Sequence, residues 1–310
     1  MSKIFLIDAM NLAFRSYYAF AVNPPRTSTG KPTAVPFGAA MFMHRLLSEY
    51  SPDHMVLALE SKTPTFRHEL FPEYKANRQG TTPSDFGVQI PDFLGLFMAM
   101  GVKSVSVPGF EADDVIGTLA KKYGTEGHEV YIVSGDKDFC QLVDNNIKII
   151  YPKNGDFKII DAQGVVDKFG VLPSQVIDCL AILGDRVDNV PGVKGIGEKG
   201  AAELLKTYGN LSNVLANANN IQSKRYSTAL QKSMKEAVMS KTLVTISLEV
   251  PVPYSLEDMK VNKETMLNNP ELRNLYSGLE FNSLLSRMVP SPGIESPWEI
   301  PEEDGIEGIL

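Results

Sequence analysis

The 310-residue chain has two cysteines, Cys140 and Cys179. That is too few for a disulfide framework or a zinc site, so a reducing, cytoplasmic setting is expected. Long apolar runs are also missing. The strongest, Phe93 to Val102, is about half the length needed to span a bilayer. The opening MSKIFLIDAMN breaks its apolar stretch at Asp8 and offers no cleavage site, so no secretory signal is expected. Residues 289–310 contain no Lys or Arg; six acids and four prolines there predict a disordered, acidic tail. That tail accounts for most of the net charge of −7, because the rest of the chain holds 30 basic and 31 acidic residues.

What the chain does have is a repeated pattern. β-rich runs at 3–8 (KIFLID), 54–60, 102–107, 129–135 and 147–152 alternate with helical spacing at about 36–50, 84–100, 112–123 and 137–143. Such alternation predicts an α/β fold with a mainly parallel central sheet flanked by helices. After about residue 172 helical segments dominate and predict a second, helical layer.

Nine carboxylates fall in five clumps, most of them where a strand is predicted to end: Asp8, Glu60, Glu111 with Asp113 and Asp114, Asp136 with Asp138, and Asp185 with Asp188. Acids ending several strands of such a sheet meet in the crevice at their carboxyl ends. Each clump has a plainer reading, since Asp8 and Asp136 fit helix N-caps. Glu111, Asp113 and Asp114 open a helix, where the macrodipole favours negative charge by roughly 0.3–1 kcal/mol each. Three successive acids exceed what capping needs, and nine negative charges in one crevice require cations. Mg²⁺ accepts one or two direct carboxylates and keeps several waters, so the set suits two hard ions and phosphoester chemistry. With the nine set aside, 30 basic residues face 22 acidic ones, a balance suited to a polyanionic partner as well as to an ordinary surface.

Two further segments stand out. Residues 188–200 place Gly192, Gly195, Gly197 and Gly200 within nine positions beside Lys194 and Lys199, ahead of a helix. Glycines let backbone approach a ligand closely and a helix N-terminus offers free N–H groups to phosphate, although a plain helix–helix connection also fits. No G-x-x-x-x-G-K-[ST] is present, which argues against a nucleotide P-loop. Residues 61–83 form an insert in which Lys62, Arg67, Lys75 and Arg78 interleave with Phe66, His68, Phe71 and Tyr74. Positive side chains beside aromatic rings suit single-stranded nucleic acid, and a solvated loop with a few packed rings fits as well.

The blocks FLIDAMNLAFRSYYA, TFRHELFPEYKANR, PGFEADDVIGTLA, VSGDKDFCQLV and ILGDRVDNVPGVKGIGEKGAAELL together resemble the 5′-nuclease family. That family comprises the 5′→3′ exonuclease domain of bacterial DNA polymerase I, its phage homologues and the flap endonucleases. The resemblance runs over about residues 3–285. It implies a PIN-like nuclease core over 1–180, with a helical arch at about 61–90 that passes a single 5′ strand. A helical DNA-binding subdomain is expected over 181–287, its helix–three-turn–helix hairpin at 189–201, and the tail over 288–310.

By the same resemblance Asp8, Glu111, Asp113, Asp114 and Asp136 belong to a site for two Mg²⁺ ions, which Mn²⁺ can replace, with Asp138, Asp185 and Asp188 beside them and Glu60 as an outer-sphere ligand, and the hairpin holds K⁺. Arg15, Tyr74, Lys75 and Arg78 are expected to face the scissile phosphate. Lys62, Arg67, Gly192, Lys194, Gly195, Gly197 and Lys199 are expected to contact DNA. The implied activity is Mg²⁺-dependent cutting of 5′ flaps and RNA primers near single-strand/duplex junctions, in replication and repair, by a monomer. A replication or repair protein is the expected partner of the tail. A non-catalytic junction binder and an RNA-directed nuclease are the alternatives. One position departs from the family: its strand acid before the arch is usually Asp, and here it is Glu60 in LALESK. Whether the chain is free-standing or the first part of a polymerase stays open.

Overall fold

A computed structural model describes residues 1–78, 82–153 and 156–288. The acidic tail expected from residue 288 lies, from 289 onward, outside the described residues. In chain order the first elements are β1 (Lys3–Asp8), α1 (Ala9–Ala19), α2 (Ala34–Glu49), β2 (His54–Ala58), α3 (Phe66–Leu70), α4 (Ile90–Ala99), β3 (Lys103–Val105), α5 (Ala112–Thr125) and β4 (Glu129–Val133). Then come β5 (Ile147–Lys153), β6 (Asp156–Ile160), α6 (Ala162–Phe169), α7 (Val176–Leu183), α8 (Glu198–Tyr208), α9 (Leu211–Ala216), α10 (Lys224–Lys232) and α11 (Met234–Val244). Three short helices follow: α12 (Lys263–Leu267), α13 (Pro270–Gly278) and α14 (Asn282–Met288).

The six strands lie in the order β3-β2-β1-β4-β5-β6. The first five run parallel, and β6 is antiparallel to β5. From β1 the chain builds outward to β2 and β3, then returns to place β4 on the other side of β1. The order therefore reverses between β1 and β4, and the crevice above such a reversal is where open α/β sheets bind ligands. β6 is an addition to the five expected strands. The stretch expected to be a helix at 137–143 is a 3₁₀ turn at Lys137–Leu142.

Because side chains alternate across a strand, each strand feeds two cores. Ile4, Leu6, Val56, Val130 and Ile132 pack toward α5, α7, α8 and α11. Phe5, Ile7, Met55, Leu57 and Val133 pack toward α1, α2, α4 and α13. Both faces are covered, as a parallel sheet requires. One expectation is corrected here: the last helices do not join the hairpin's helical layer. Met266, Leu272, Tyr276 and Leu284 are buried against the α1/α2/α4 face.

A strap over residues 245–261 makes that return possible. Ser247 N–H donates to Asp114, Val250 N–H to Thr118 Oγ1, Tyr254 Oη to the Ser104 carbonyl and Val261 N–H to the Asp53 carbonyl. Gly117 gives the strap room, since a Cβ there would stand 2.4 Å from Ile246 Cγ2. Among the described residues no helix is long and apolar enough to cross a membrane.

The α2–α13 contact contains a buried imidazole. His44 Nε2 lies 3.0 Å from Tyr276 Oη. Burial pushes its pKa down to about 4, with Arg287 and Lys263 adding to the effect. The folded chain thus refuses a proton that the unfolded chain accepts, so stability falls as pH drops from about 6.5 toward 4. Denaturant titrations at pH 7 and pH 5 should show a steeper loss in wild type than in His44→Gln, by about 2 kcal/mol. Equal losses would contradict this reading.

Candidate active site

The loops at the carboxyl end of the sheet bring the acids together from separate strands. Asp8 ends β1 and caps α1: its Oδ1 accepts the Asn11 N–H at 3.1 Å, and its Oδ2 accepts the Ser134 hydroxyl at 3.0 Å. Ser134 Oγ also accepts the Asp136 N–H, and Asp136 Oδ1 in turn accepts the Asp138 N–H. Asn11 Oδ1 takes the Gly135 N–H at 2.9 Å and ties the β1 and β4 loops together. Capping and site-building are therefore compatible at Asp8 and Asp136, because capping of α1 engages only one oxygen of Asp8.

Charge crowding is visible in the titration of the group. Asp8 is pushed up to about 6, first by burial and also by Asp136 and Glu60, against the Asn11 and Ser134 hydrogen bonds. Asp113 lies well above the usual carboxylate range through burial and the charges of Asp136 and Asp8. Burial and Asp136 likewise raise Asp138 well above that range. Asp138 Oδ1 is buried without a hydrogen-bond partner. Glu60, exposed at the rim, reaches the start of α5 and accepts the Ala112 N–H at 3.3 Å.

The basic insert lies across the acids. Lys75 Nζ stands 3.0 Å from Glu111 Oε1, and Tyr74 Oη donates to Glu111 Oε2 at 3.2 Å. Lys75 holds a left-handed backbone (φ 57°), unusual for a side chain with a Cβ, and its N–H is fixed to the Asp188 carbonyl at 3.0 Å. Arg78 pairs with the Asp188 carboxylate, and Asn189 Nδ2 donates to the Glu73 carbonyl. A recess of about 240 Å³ opens between Glu60, Thr63, His68, Lys75, Arg78 and Glu111. On the opposite side Arg15 donates to the Pro152 carbonyl and lies 4.9 Å over the Tyr151 ring.

Five expectations are corrected by this geometry. Over its described part the 61–90 insert is not an open arch; short helical turns pin it to α5 and to the 185–189 loop. Tyr74 is 5% exposed and supports Glu111 from below instead of facing a strand of DNA. Arg67 is 2% exposed and cannot contact DNA. Its partner Asp114 is fully buried and has every lone pair taken, so it is no metal ligand. Gly192 is buried backbone to backbone against Gly184: at φ 61°, an added Cβ would stand 2.5 Å from Gly184 N.

Lys62, Lys194, Gly195, Gly197 and Lys199 are exposed. Although burial opposes it, Asp185 is held below the ordinary carboxylate range by Lys137 at 2.6 Å and the Asp188 and Val187 N–H groups. Asp188 is raised by burial despite Lys75 and Arg78.

Sequence reasoning overlooked four participants. Ser134 and Asn11 orient Asp8, and Lys137 neutralises Asp185. Arg225, exposed on α10, bonds the Gly195 carbonyl at the hairpin tip at 2.9 Å. The Ser in VSGDKD and the Lys-Arg pair after the Ser223 cap were the available signals.

The donor set is all oxygen, crowded and half-buried, with one orphaned carboxylate oxygen, and it fits hard divalent cations. Among the described residues no three of these side chains stand close enough to hold an ion unaided.

An acidic crevice at the switch point of a mostly parallel sheet, joined to helices around a glycine hairpin, defines a two-part architecture that known proteins share. The family described as the 5′-3′ exonuclease N-terminal resolvase-like domain matches residues 3–170, and its C-terminal SAM fold matches residues 171–266. The chain is 35% identical over 298 residues to DNA polymerase I of Bacillus caldotenax, covering 95% of this chain and 33% of that protein. It is 36% identical to DNA polymerase I of Synechocystis over 92% of this chain and 30% of that protein. The chain thus spans about a third of the length of these relatives.

Among solved structures, T5 5′-exonuclease with bound divalent metal ions (zinc) superposes with a TM-score of 0.67 at 20% identity, covering 90% of this chain and 98% of that one. The catalytic core of Rad2 in complex with DNA substrate superposes with a TM-score of 0.57 at 18% identity, over 93% of each chain. This chain belongs to the 5′-3′ exonuclease family.

The hairpin gives the test of its own geometry. Gly192→Ala meets both the left-handed backbone and the Gly184 amide, and should cost at least about 2 kcal/mol in urea denaturation. A change under about 0.5 kcal/mol would mean that the 184–192 contact is looser than described.

Proposed function

We propose that this chain hydrolyses phosphodiesters of DNA, and of RNA primers paired to DNA, at 5′ ends near single-strand/duplex junctions. The observation that carries this reading is the meeting of Asp8, Glu60, Asp113 and Asp136 at the β1/β4 switch point, directly beside Lys75 and Arg78. Asp8, Glu111, Asp113 and Asp136, with Glu60 and Asp138 at the margin, would hold two Mg²⁺ ions, which Mn²⁺ can replace. Bound divalent cations supply water activation and neutralise charge on the phosphate during in-line displacement.

The chain's own residues do the rest. The Asn11 N–H holds one oxygen of Asp8 and the Ser134 hydroxyl the other, which fixes the carboxylate. Lys75, displaced from Glu111 by an incoming phosphate, stabilises charge developing on the reacting group. Arg78 and Arg15 on opposite sides of the crevice bind the flanking phosphates. Lys194, Lys199 and Arg225, with the Gly195–Gly197 backbone, grip the duplex, and a K⁺ ion at the hairpin would add to that grip. Contacts of this kind position a duplex without reading its sequence, so selection is by junction shape.

A labelled 5′-flap duplex tests the reading. Wild type should cut it with Mg²⁺ and not with EDTA. Asp113→Asn and Asp136→Asn should lower kcat by at least about 10³-fold while junction Kd stays within about threefold. Cutting at full rate by either variant refutes the assignment, and binding without any Mg²⁺-dependent cutting leaves a junction-binding scaffold. Glu60→Asp withdraws the carboxylate from the Ala112 N–H and should change the ratio of Mg²⁺ to Mn²⁺ rates by more than about threefold. An unchanged ratio would remove Glu60 from the metal environment.

A further inference from the structure

Arg67 sits in the segment expected to face DNA, yet its guanidinium makes four hydrogen bonds and a further ion pair inside the protein. Nη1 donates to Asp114 Oδ2 at 2.8 Å and lies 3.3 Å from Glu111 Oε2. Nη2 donates to Asp114 Oδ1 and to the Thr245 carbonyl, each at 2.8 Å. Nε donates to the Leu243 carbonyl at 2.8 Å, and the guanidinium lies 4.5 Å from the centre of the Phe66 ring. Asp114 is closed in the same way. Besides Arg67, its Oδ1 accepts the Ser247 N–H at 2.8 Å and its Oδ2 accepts the Glu111 N–H at 3.1 Å. A buried guanidinium–carboxylate pair is weak evidence for net stability, because desolvation offsets much of its attraction, whereas removing one partner leaves the other charge buried and unpaired.

Three pieces of the chain meet at this pair and share no backbone: the insert through α3, the acidic start of α5, and the end of α11 where the strap leaves the helical layer. We propose that Arg67 is a positioning residue. Through Asp114 it sets the orientation of Glu111 and Asp113 relative to both the Lys75–Arg78 segment and the helices that carry the hairpin. The inference rests on the proposed nuclease reading, because the geometry it sets is that of the carboxylates and Lys75. Arg67 touches no substrate. A displacement of about 1 Å at a reacting group is enough to cost on the order of 10²-fold in rate. Lysine cannot substitute, since three donors on one nitrogen cannot span two carboxylate oxygens and two carbonyls at once.

The experiment compares wild type with Arg67→Gln, Arg67→Lys, Asp114→Asn and the Arg67→Gln/Asp114→Asn double variant. It uses a 5′-flap duplex, with folding checked by melting and junction Kd measured in EDTA. At a temperature well below each variant's melting point, kcat should fall by about 10²-fold in Arg67→Gln, with KM and junction Kd within about twofold. Arg67→Lys should recover little of that loss, and the double variant should lose no more than the worse single one. In the wild-type chain, the Glu111 and Ser247 amides should exchange hydrogen only through global unfolding.

Unchanged kcat in a folded variant overturns the proposal, as does a loss that appears in Kd and not in kcat, which would make Arg67 a DNA contact. Fast local exchange at Glu111 or Ser247 overturns it even if every variant fails to fold. If wild type itself does not cut the flap, the nuclease reading has failed instead, and the binding and exchange results still report on the pair.

Discussion

Repulsion among carboxylates at the carboxyl end of the sheet is the constraint on which the rest of the structure depends. Asp8, Asp113 and Asp138 are each raised by burial and by the charge of Asp136, which sits between them electrostatically. A cluster of this kind costs stability by itself, so the fold surrounds it with offsets. Ser134 and main-chain N–H groups face Asp8 and Asp136, Lys75 faces Glu111, and Lys137 faces Asp185. Those offsets divide the acids into two groups. Glu111, Asp185 and Asp188 are paired with side-chain cations, whereas Asp8, Asp113 and Asp136 have no such partner within salt-bridge distance among the described residues. On the proposed reading, the second group supplies the charge that divalent ions from solution would neutralise.

On the proposed reading, the same division lets two layers with different tasks serve one substrate. The α/β core supplies the crevice, and the helices around the glycine hairpin supply exposed N–H groups and Lys194, Lys199 and Arg225. Between them run the pinned insert and the strap, both tied to α5. Groups placed on rigid elements and held by buried hydrogen bonds keep the precision that the proposed displacement at phosphorus would need. The left-handed backbone at Lys75 belongs to this economy of placement, since a non-glycine residue keeps that conformation only where its surroundings impose it.

Much of the fold was legible because its signals are local. KIFLID and EVYIVSG are β-branched runs closed by acid or glycine, and the acids that follow them mark strand ends. β6 was missed because DFKII is short and only partly apolar, although the Asn154-Gly155 dipeptide before it is a hairpin signal. The placement of α12–α14 was illegible, since helical periodicity shows which face is apolar and not which neighbour covers it. Asp114 and Arg67 were misread for a common reason: acid beside acid on a helix, and Arg among aromatics in a polar insert, look like site residues by composition. Their true partners are far off in sequence: Leu243 and Thr245 stand 176 and 178 residues from Arg67, and Ser247 133 residues from Asp114. Gly192 was misread because a glycine needed for close backbone contact and one needed for a ligand carry the same letter.

The central claim is that the crevice is completed by divalent cations, and thermal stability measures that without any substrate. Raising Mg²⁺ or Mn²⁺ at constant ionic strength should raise the melting midpoint of wild type. The gain should approach about 2.7 kcal/mol when the free ion reaches a hundred times its Kd. Asp113→Asn and Asp136→Asn should start from a higher midpoint without metal and respond less to it, because each removes one of the repelling charges. A wild-type midpoint indifferent to divalent cations, with the variants no more stable than wild type in EDTA, would contradict the account.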